Sequence, residues 1–194
     1  MRIFKKALVI LTLLVTGPAF ANEITLYYGG VSASDVQEDD ATLSTKADGT
    51  FGVSYSWPYK GKGAKGQGEL LLSHSKRSFN SENLGQDQAF DVTYGHFSGI
   101  AFYPQGAYTT IFGLGIGFTQ VSGDSSAIYP SLSVTTGIRY EIAESLVFKL
   151  EGRLFGTLAD SEDNLFCSGD NCQTFLDGDL LTETQLWAGL AYKF

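Results

Sequence analysis

From residue 23 onward, apolar and polar side chains alternate with period two in stretches of about ten residues, the spacing that puts neighbours on opposite faces of a strand. The clearest stretch is SLVFKLEGRLFGTL at 145–158. Leu146, Phe148, Leu150, Leu154 and Leu158 share one face; Lys149, Glu151, Arg153 and Thr157 share the other. PSLSVTTGIRYEI at 130–142 sets Leu132, Val134, Ile138, Tyr140 and Ile142 against Ser133, Thr135, Arg139 and Glu141. In 107–120, Phe112, Leu114, Ile116 and Phe118 oppose Gly113, Gly115, Gly117 and Thr119. With 23–31, 48–57, 67–76, 88–103 and 180–194, the pattern predicts eight strands.

The connections alternate in length. Segments 32–47, 77–87, 121–129 and 161–179 are long or polar, 104–106 and 143–145 are tight turns, and 59–66 is an intermediate, glycine-rich link. Long loops alternating with short turns over an even number of strands predict an all-β, eight-stranded antiparallel transmembrane up-and-down β-barrel. A soluble sandwich or lipocalin-like barrel would turn its apolar face inward and its charges outward. Here one face carries the large aromatics and the other carries glycine, threonine and charges of both signs. That division suits a lipid-facing wall around a narrow polar lumen, which eight strands leave just wide enough for side chains to fill.

The last stretch, LWAGLAYKF, alternates to its final residue, with Leu186, Leu190, Tyr192 and Phe194 opposite Glu183, Gln185 and Lys193. The expectation is that this strand ends at an aromatic girdle and pairs with the first strand, removing both sheet edges. At the other end, Arg2, Lys5 and Lys6 precede an apolar run, and Ala19-Phe20-Ala21 follows. This reads as a signal peptide over 1–21, since the run is too short to span a bilayer as a helix, with a barrel domain over 22–194. The barrel domain holds ten bases against twenty-one acids, a net charge of −11, which excludes nucleic-acid binding through a basic patch. Its glycine and aromatic usage fits an all-β chain.

GLAYKF, from Gly189 to Phe194, resembles the C-terminal assembly signal of Gram-negative outer-membrane proteins, in which Gly189, Tyr192 and Phe194 match the pattern. The whole barrel domain resembles small eight-stranded barrels of the OmpA/OmpX type. The resemblance implies a monomer in the outer membrane, in contact with its lipids and lipopolysaccharide. It also implies delivery by periplasmic chaperones and insertion by the barrel assembly machinery. It implies no particular activity and no cofactor.

Candidate chemistry is sparse. Cys167 and Cys172, the two cysteines of the chain, read as a disulfide closing a small loop in an exported protein. A zinc site would need two more ligands nearby, and both histidines lie far upstream. The expected lumen charges are Glu69, Asp91, Arg139, Glu141, Lys149, Glu151, Arg153 and Glu183, whose mixed signs should pair into a polar plug. His96 and Ser98 share a face and are expected on the lipid side, without an acid to orient the histidine, so a histidine beside a small packing residue is the better account than a hydrolase pair. His74 is weaker, because Ser73 and Ser75 point to the other face. The long loops hold Asp35, Glu38, Asp39, Asp40, Glu82, Asp87, Asp124, Asp160, Glu162, Asp163, Asp170, Asp177 and Asp179, opposed by Lys46 and Arg77 alone. No EF-hand spacing is present, so these acids read as a solvated, repulsive surface. Lys60, Lys62 and Lys65 mark the opposite end and suit anionic headgroups. The expected role is structural or surface-interacting, with acidic loops presented outside. The alternatives are a narrow solute channel and a lipid A-modifying enzyme.

Overall fold

The computed structural model describes residues 22–33, 36–38, 41–43, 45–61, 64–79, 88–123, 126–158, 167–168, 171–172 and 180–194. The expected signal peptide, 1–21, lies outside them. Eight strands form a closed antiparallel barrel: β1 (Glu23–Ala33), β2 (Thr45–Gly61), β3 (Ala64–Phe79), β4 (Gln88–Pro104), β5 (Thr109–Ser122), β6 (Ser126–Ala143), β7 (Leu146–Leu158) and β8 (Leu180–Lys193). Each pairs with its neighbours in the chain, and β1 closes on β8 from Glu23↔Lys193 to Ala33↔Glu183. Asn22 and Phe194 exchange backbone hydrogen bonds of 2.9 Å beyond the ladder, sealing the seam. A short hairpin of Val36–Glu38 with Ala41–Leu43 lies between β1 and β2. A second, of Cys167–Ser168 with Asn171–Cys172, lies between β7 and β8.

The alternation holds register because the cross-strand partners agree in character. Leu26, Leu190, Phe148 and Tyr140 form one outward row around β1, β8, β7 and β6. A slip of one residue would turn such a row into the lumen. Several strands run further than predicted. Between β5 and β6 the ladder continues to Val121↔Ala127 and Thr119↔Tyr129, with Val121 and Tyr129 buried, so the expected 121–129 loop shrinks to 123–125. The 59–66 link likewise pairs to Gly61↔Ala64, leaving 62 and 63 between the strands. Thus the termini and three short turns lie at one end, the turn end, and the long connections at the other, the loop end. Gly106 turns the chain between β4 and β5 at φ 86°, and Gly49 takes φ 108° where the β2–β3 register shifts. Both values lie in the region glycine enters at little cost.

Burial is inverted relative to a soluble barrel. Leu26, Leu70, Leu114, Ile116, Leu132 and Leu186 are exposed on the outer wall, while serine, threonine and charged side chains fill the inside. Tyr59, Tyr103, Tyr108, Tyr140, Tyr192 and Phe194 are exposed near the turn end, an aromatic belt at a membrane interface.

Candidate functional site in the barrel lumen

Side-chain size is distributed unevenly around the barrel, and this decides how the lumen is filled. The inward positions of β2 are Thr50, Gly52, Ser54 and Ser56; β6 contributes Ser131, Ser133 and Thr135. Long side chains from β1, β7 and β8 reach across toward these small ones. Gly52 leaves room for the Trp187 ring and Gly189 for the Tyr27 ring: a Cβ at Gly189 would sit 2.6 Å from two Tyr27 ring carbons.

Three tiers of charge result. In the middle, the Arg153 guanidinium donates to Glu151 Oε2 from Nε at 3.0 Å and from Nη2 at 2.6 Å, and to Glu69 Oε1 at 2.9 Å. The Tyr27 hydroxyl donates its one proton to Glu151 at 3.0 Å and stands 3.4 Å from Glu69. Arg153 also lies 5.3 Å from the Tyr27 ring centroid and 5.7 Å from that of Trp187. Toward the turn end, Arg139 donates to Glu23 at 2.6 Å, and Lys149 Nζ lies 3.1 Å from both Glu23 and Thr25. Arg139 stacks over Phe102 at 4.6 Å. Toward the loop end, Arg77 pairs with Glu183, whose carboxylate also accepts from Tyr94 and Gln185, each at 2.5 Å. An aromatic layer separates the upper and middle tiers. Tyr94 stacks on Phe155 at 4.3 Å, and Trp187 meets Tyr27 edge-on at 5.1 Å.

Among the described residues, the buried formal charges balance. Arg77, Arg139, Lys149 and Arg153 face Glu23, Glu69, Glu151 and Glu183. Neutrality and pairing are what make such burial tolerable, since an unpaired charge in a low-dielectric interior is strongly penalised. Glu69, Glu151, Arg153, Phe155 and Trp187 are all at most 1 % exposed, so the centre of the lumen is closed to bulk solvent. Toward the turn end the lumen opens into a cavity of about 290 Å³, bordered by Glu23, Lys65, Arg139, Glu141 and Lys193.

Six of the eight expected lumen charges therefore meet inside: Glu69, Arg139, Lys149, Glu151, Arg153 and Glu183. Glu141 points the same way but stands at the mouth, 62 % exposed, 3.2 Å from Lys193 and 3.8 Å from Arg139. Asp91 is a correction. It lies on the outer wall, 45 % exposed and 3.7 Å from His74, because Phe90 and Val92 take the inward positions. The same one-residue phase error misplaced His96 and Ser98, expected to face lipid. Both are buried in the lumen, where His96 Nε2 lies 2.8 Å from the Ser131 hydroxyl and the ring meets Phe155 edge-on. A pair so enclosed has no path to a lipid substrate. His74 does face outward, with Nδ1 3.1 Å from the Thr93 hydroxyl.

Sequence reasoning missed Glu23 and assigned Arg77 to a loop. Both continue the odd-numbered inward row of their strands, Glu23 with Thr25 and Tyr27, Arg77 with Ser73 and Ser75. That parity was the available signal. The aromatic layer was missed because its members lie on faces otherwise polar. Tyr192 and Phe194 stack on the outer wall at 6.4 Å, whereas Gly189 faces inward under Tyr27. Cys167 and Cys172 are directly opposed in the register of their hairpin. The acids of the long loops lie outside the described residues, apart from the backbone of Glu38.

No family model matches the chain, and neither does any curated protein sequence. Solved structures do share its fold. Neisserial surface protein A is similar at a TM-score of 0.54 and 14 % identity, over 90 % of this chain and 97 % of its own. Ail, the attachment invasion locus protein of Yersinia pestis in complex with the heparin analogue sucrose octasulfate, gives 0.52 and 15 %, over 90 % and 99 %. The outer membrane protein OprG from Pseudomonas aeruginosa gives 0.52 and 14 %, over 91 % and 96 %. What these outer-membrane proteins share with the chain is the fold, a small closed antiparallel β-barrel.

Proposed function

We propose that this outer-membrane barrel is a rigid, non-conducting scaffold that holds acidic loops at the cell surface for interaction with other molecules. The observation that carries the reading is the balanced, fully enclosed charge network. A conducting lumen would need a hydrated path, and the Arg153–Glu69–Glu151 cluster with Phe155 and Trp187 occupies the space such a path would use. An enzymatic role draws no support from His96 and Ser98, whose enclosure keeps them from lipid.

Loops on a rigid frame are where binding residues concentrate. Every charge in the connections at the loop end is negative, thirteen acids in all, because Lys46 and Arg77 belong to strands. The chemistry offered is therefore to cationic partners, or to divalent cations shared with lipopolysaccharide phosphates. Ail was solved with a sulfated polyanion; a ligand of that class would be repelled here. In the 159–179 connection, the opposed positions of Cys167 and Cys172 favour a disulfide that fixes the tip.

Retention of the purified barrel on immobilised polylysine and on immobilised heparin tests the charge reading. The wild type should be retained by polylysine in a salt-dependent way and pass through heparin. Replacing Asp160, Glu162, Asp163, Asp170, Asp177 and Asp179 by their amides should weaken that retention, with elution at lower salt. Retention on heparin by the wild type would overturn the reading.

A further inference from the structure

The apolar outer wall has a break near the turn end. Gly66 and Gly68 of β3 pair directly with Ala101 and Gly99 of β4, so four adjoining outward positions carry no side chain beyond a methyl group. Trp57 and Tyr59 of β2 border this patch on one side, and Phe112 and Leu114 of β5 on the other. Phe97, stacked on Trp57 with centroids 5.8 Å apart, closes it toward the middle of the barrel. The result is a trough of about 490 Å³ in the lipid-facing surface, open toward the turn end.

Packing within the protein explains only part of this floor. Trp57 leans over Gly68, and the backbone of Ile100 crowds Gly66, so larger residues are excluded there. At Gly99, by contrast, a Cβ would meet nothing within 4 Å. Glycine weakens a strand and leaves no side chain to pack, and it often marks close approach of another molecule. At the open end Lys65 is exposed at the corner between the trough and the lumen mouth and lines both. Between Asp48 and Glu69 the sequence contains no acid. Tyr59 and Tyr103, members of the aromatic belt, set this end at the level of the headgroups.

We propose that the trough seats one acyl chain of an anionic phospholipid from the leaflet on the turn side, with the phosphate held at Lys65. A flexible chain fills a concave apolar slot without needing a matched surface. A second copy of the barrel would need a ridge of complementary shape. Lys65 selects the negative headgroup, as a basic residue does near an anionic membrane surface.

Native mass spectrometry of the full-length barrel in detergent, with phosphatidylglycerol and phosphatidylethanolamine as probes, tests this. The wild type should retain one phosphatidylglycerol in preference to phosphatidylethanolamine. Gly99→Leu should lose both lipids while keeping a heat-modifiable barrel, and Ala101→Phe serves if that variant does not assemble. Lys65→Gln should still bind lipid but lose about fivefold in preference for phosphatidylglycerol, the effect of one basic residue near an anionic surface. Equal lipid retention by wild type and a filled-trough variant would overturn the proposal. So would a dimer mass in the wild type that Gly99→Leu abolishes, which would assign the trough to a second copy.

Discussion

Replacing Arg153 by methionine removes the centre of the lumen network while keeping much of its volume. The guanidinium makes three hydrogen bonds to carboxylates, at 2.6, 2.9 and 3.0 Å, in a site with at most 1 % exposure. Each bond to a charged group is worth about 1.5–3 kcal/mol net, but they share one donor group and do not add. The larger effect is that Glu69 and Glu151 would be left as buried, facing carboxylates, and stranding one side of a buried ion pair costs about 3–5 kcal/mol. The Tyr27 hydroxyl remains as a donor to one of them, which places the expected loss at the lower end, about 3 kcal/mol. The assay is equilibrium urea unfolding in lipid vesicles, followed by tryptophan fluorescence, to which Trp187 beside Arg153 contributes. The triple variant Arg153→Met, Glu69→Gln, Glu151→Gln removes charge from all three partners and should recover most of the loss. A loss below about 1 kcal/mol for Arg153→Met alone, the size of an exposed pair, would refute the claim that this network is desolvated.

Other expectations follow from the same geometry. Phe194→Ala, which removes the stacked Tyr192–Phe194 pair, and deletion of 192–194, which also removes the terminal backbone seal to Asn22, should each reduce the heat-modifiable barrel in the outer membrane; unchanged assembly would contradict this. Cys167→Ser with Cys172→Ser should leave the barrel intact, cost about 2 kcal/mol or less, and increase protease cleavage within 159–179; loss of the folded barrel would show that the pair acts in folding. Gly52→Val places atoms into the Trp187 ring, and such overpacking should cost about 1–3 kcal/mol in the urea assay; a neutral result would mean that the ring has other space available.

The strand count and faces were legible where an outward row of leucines opposed an inward row of polar residues, as in β6, β7 and β8. There the period-two signal is unambiguous, and five of the six enclosed lumen charges, Arg139, Lys149, Glu151, Arg153 and Glu183, followed from it. It failed at β4, where Phe90, Val92, Tyr94, Ile100 and Phe102 face inward while Phe97 and Tyr103 face outward. Aromatics occupy both faces of that strand, so polarity could not fix its phase, and Asp91, His96 and Ser98 were turned the wrong way together. The pairing partners were beyond sequence too. Arg77 finds Glu183 through the closure that brings distant strands around a common axis, a relation that no local pattern encodes. The Tyr27–Trp187 and Tyr94–Phe155 contacts arise the same way; the first pair leaves a trace in the sequence, the glycines opposite its rings at Gly189 and Gly52.

The central claim is that the lumen is closed by a neutral, fully packed charge network, so that the barrel acts through what it presents and not through what it conducts. Conductance of the purified, refolded protein in planar lipid bilayers tests it most directly. The account predicts no steady current steps at moderate voltage in the wild type, and the appearance of current after Arg153→Ala with Trp187→Ala, which empties the central tier. A stable, long-lived open conductance in the wild type would contradict it.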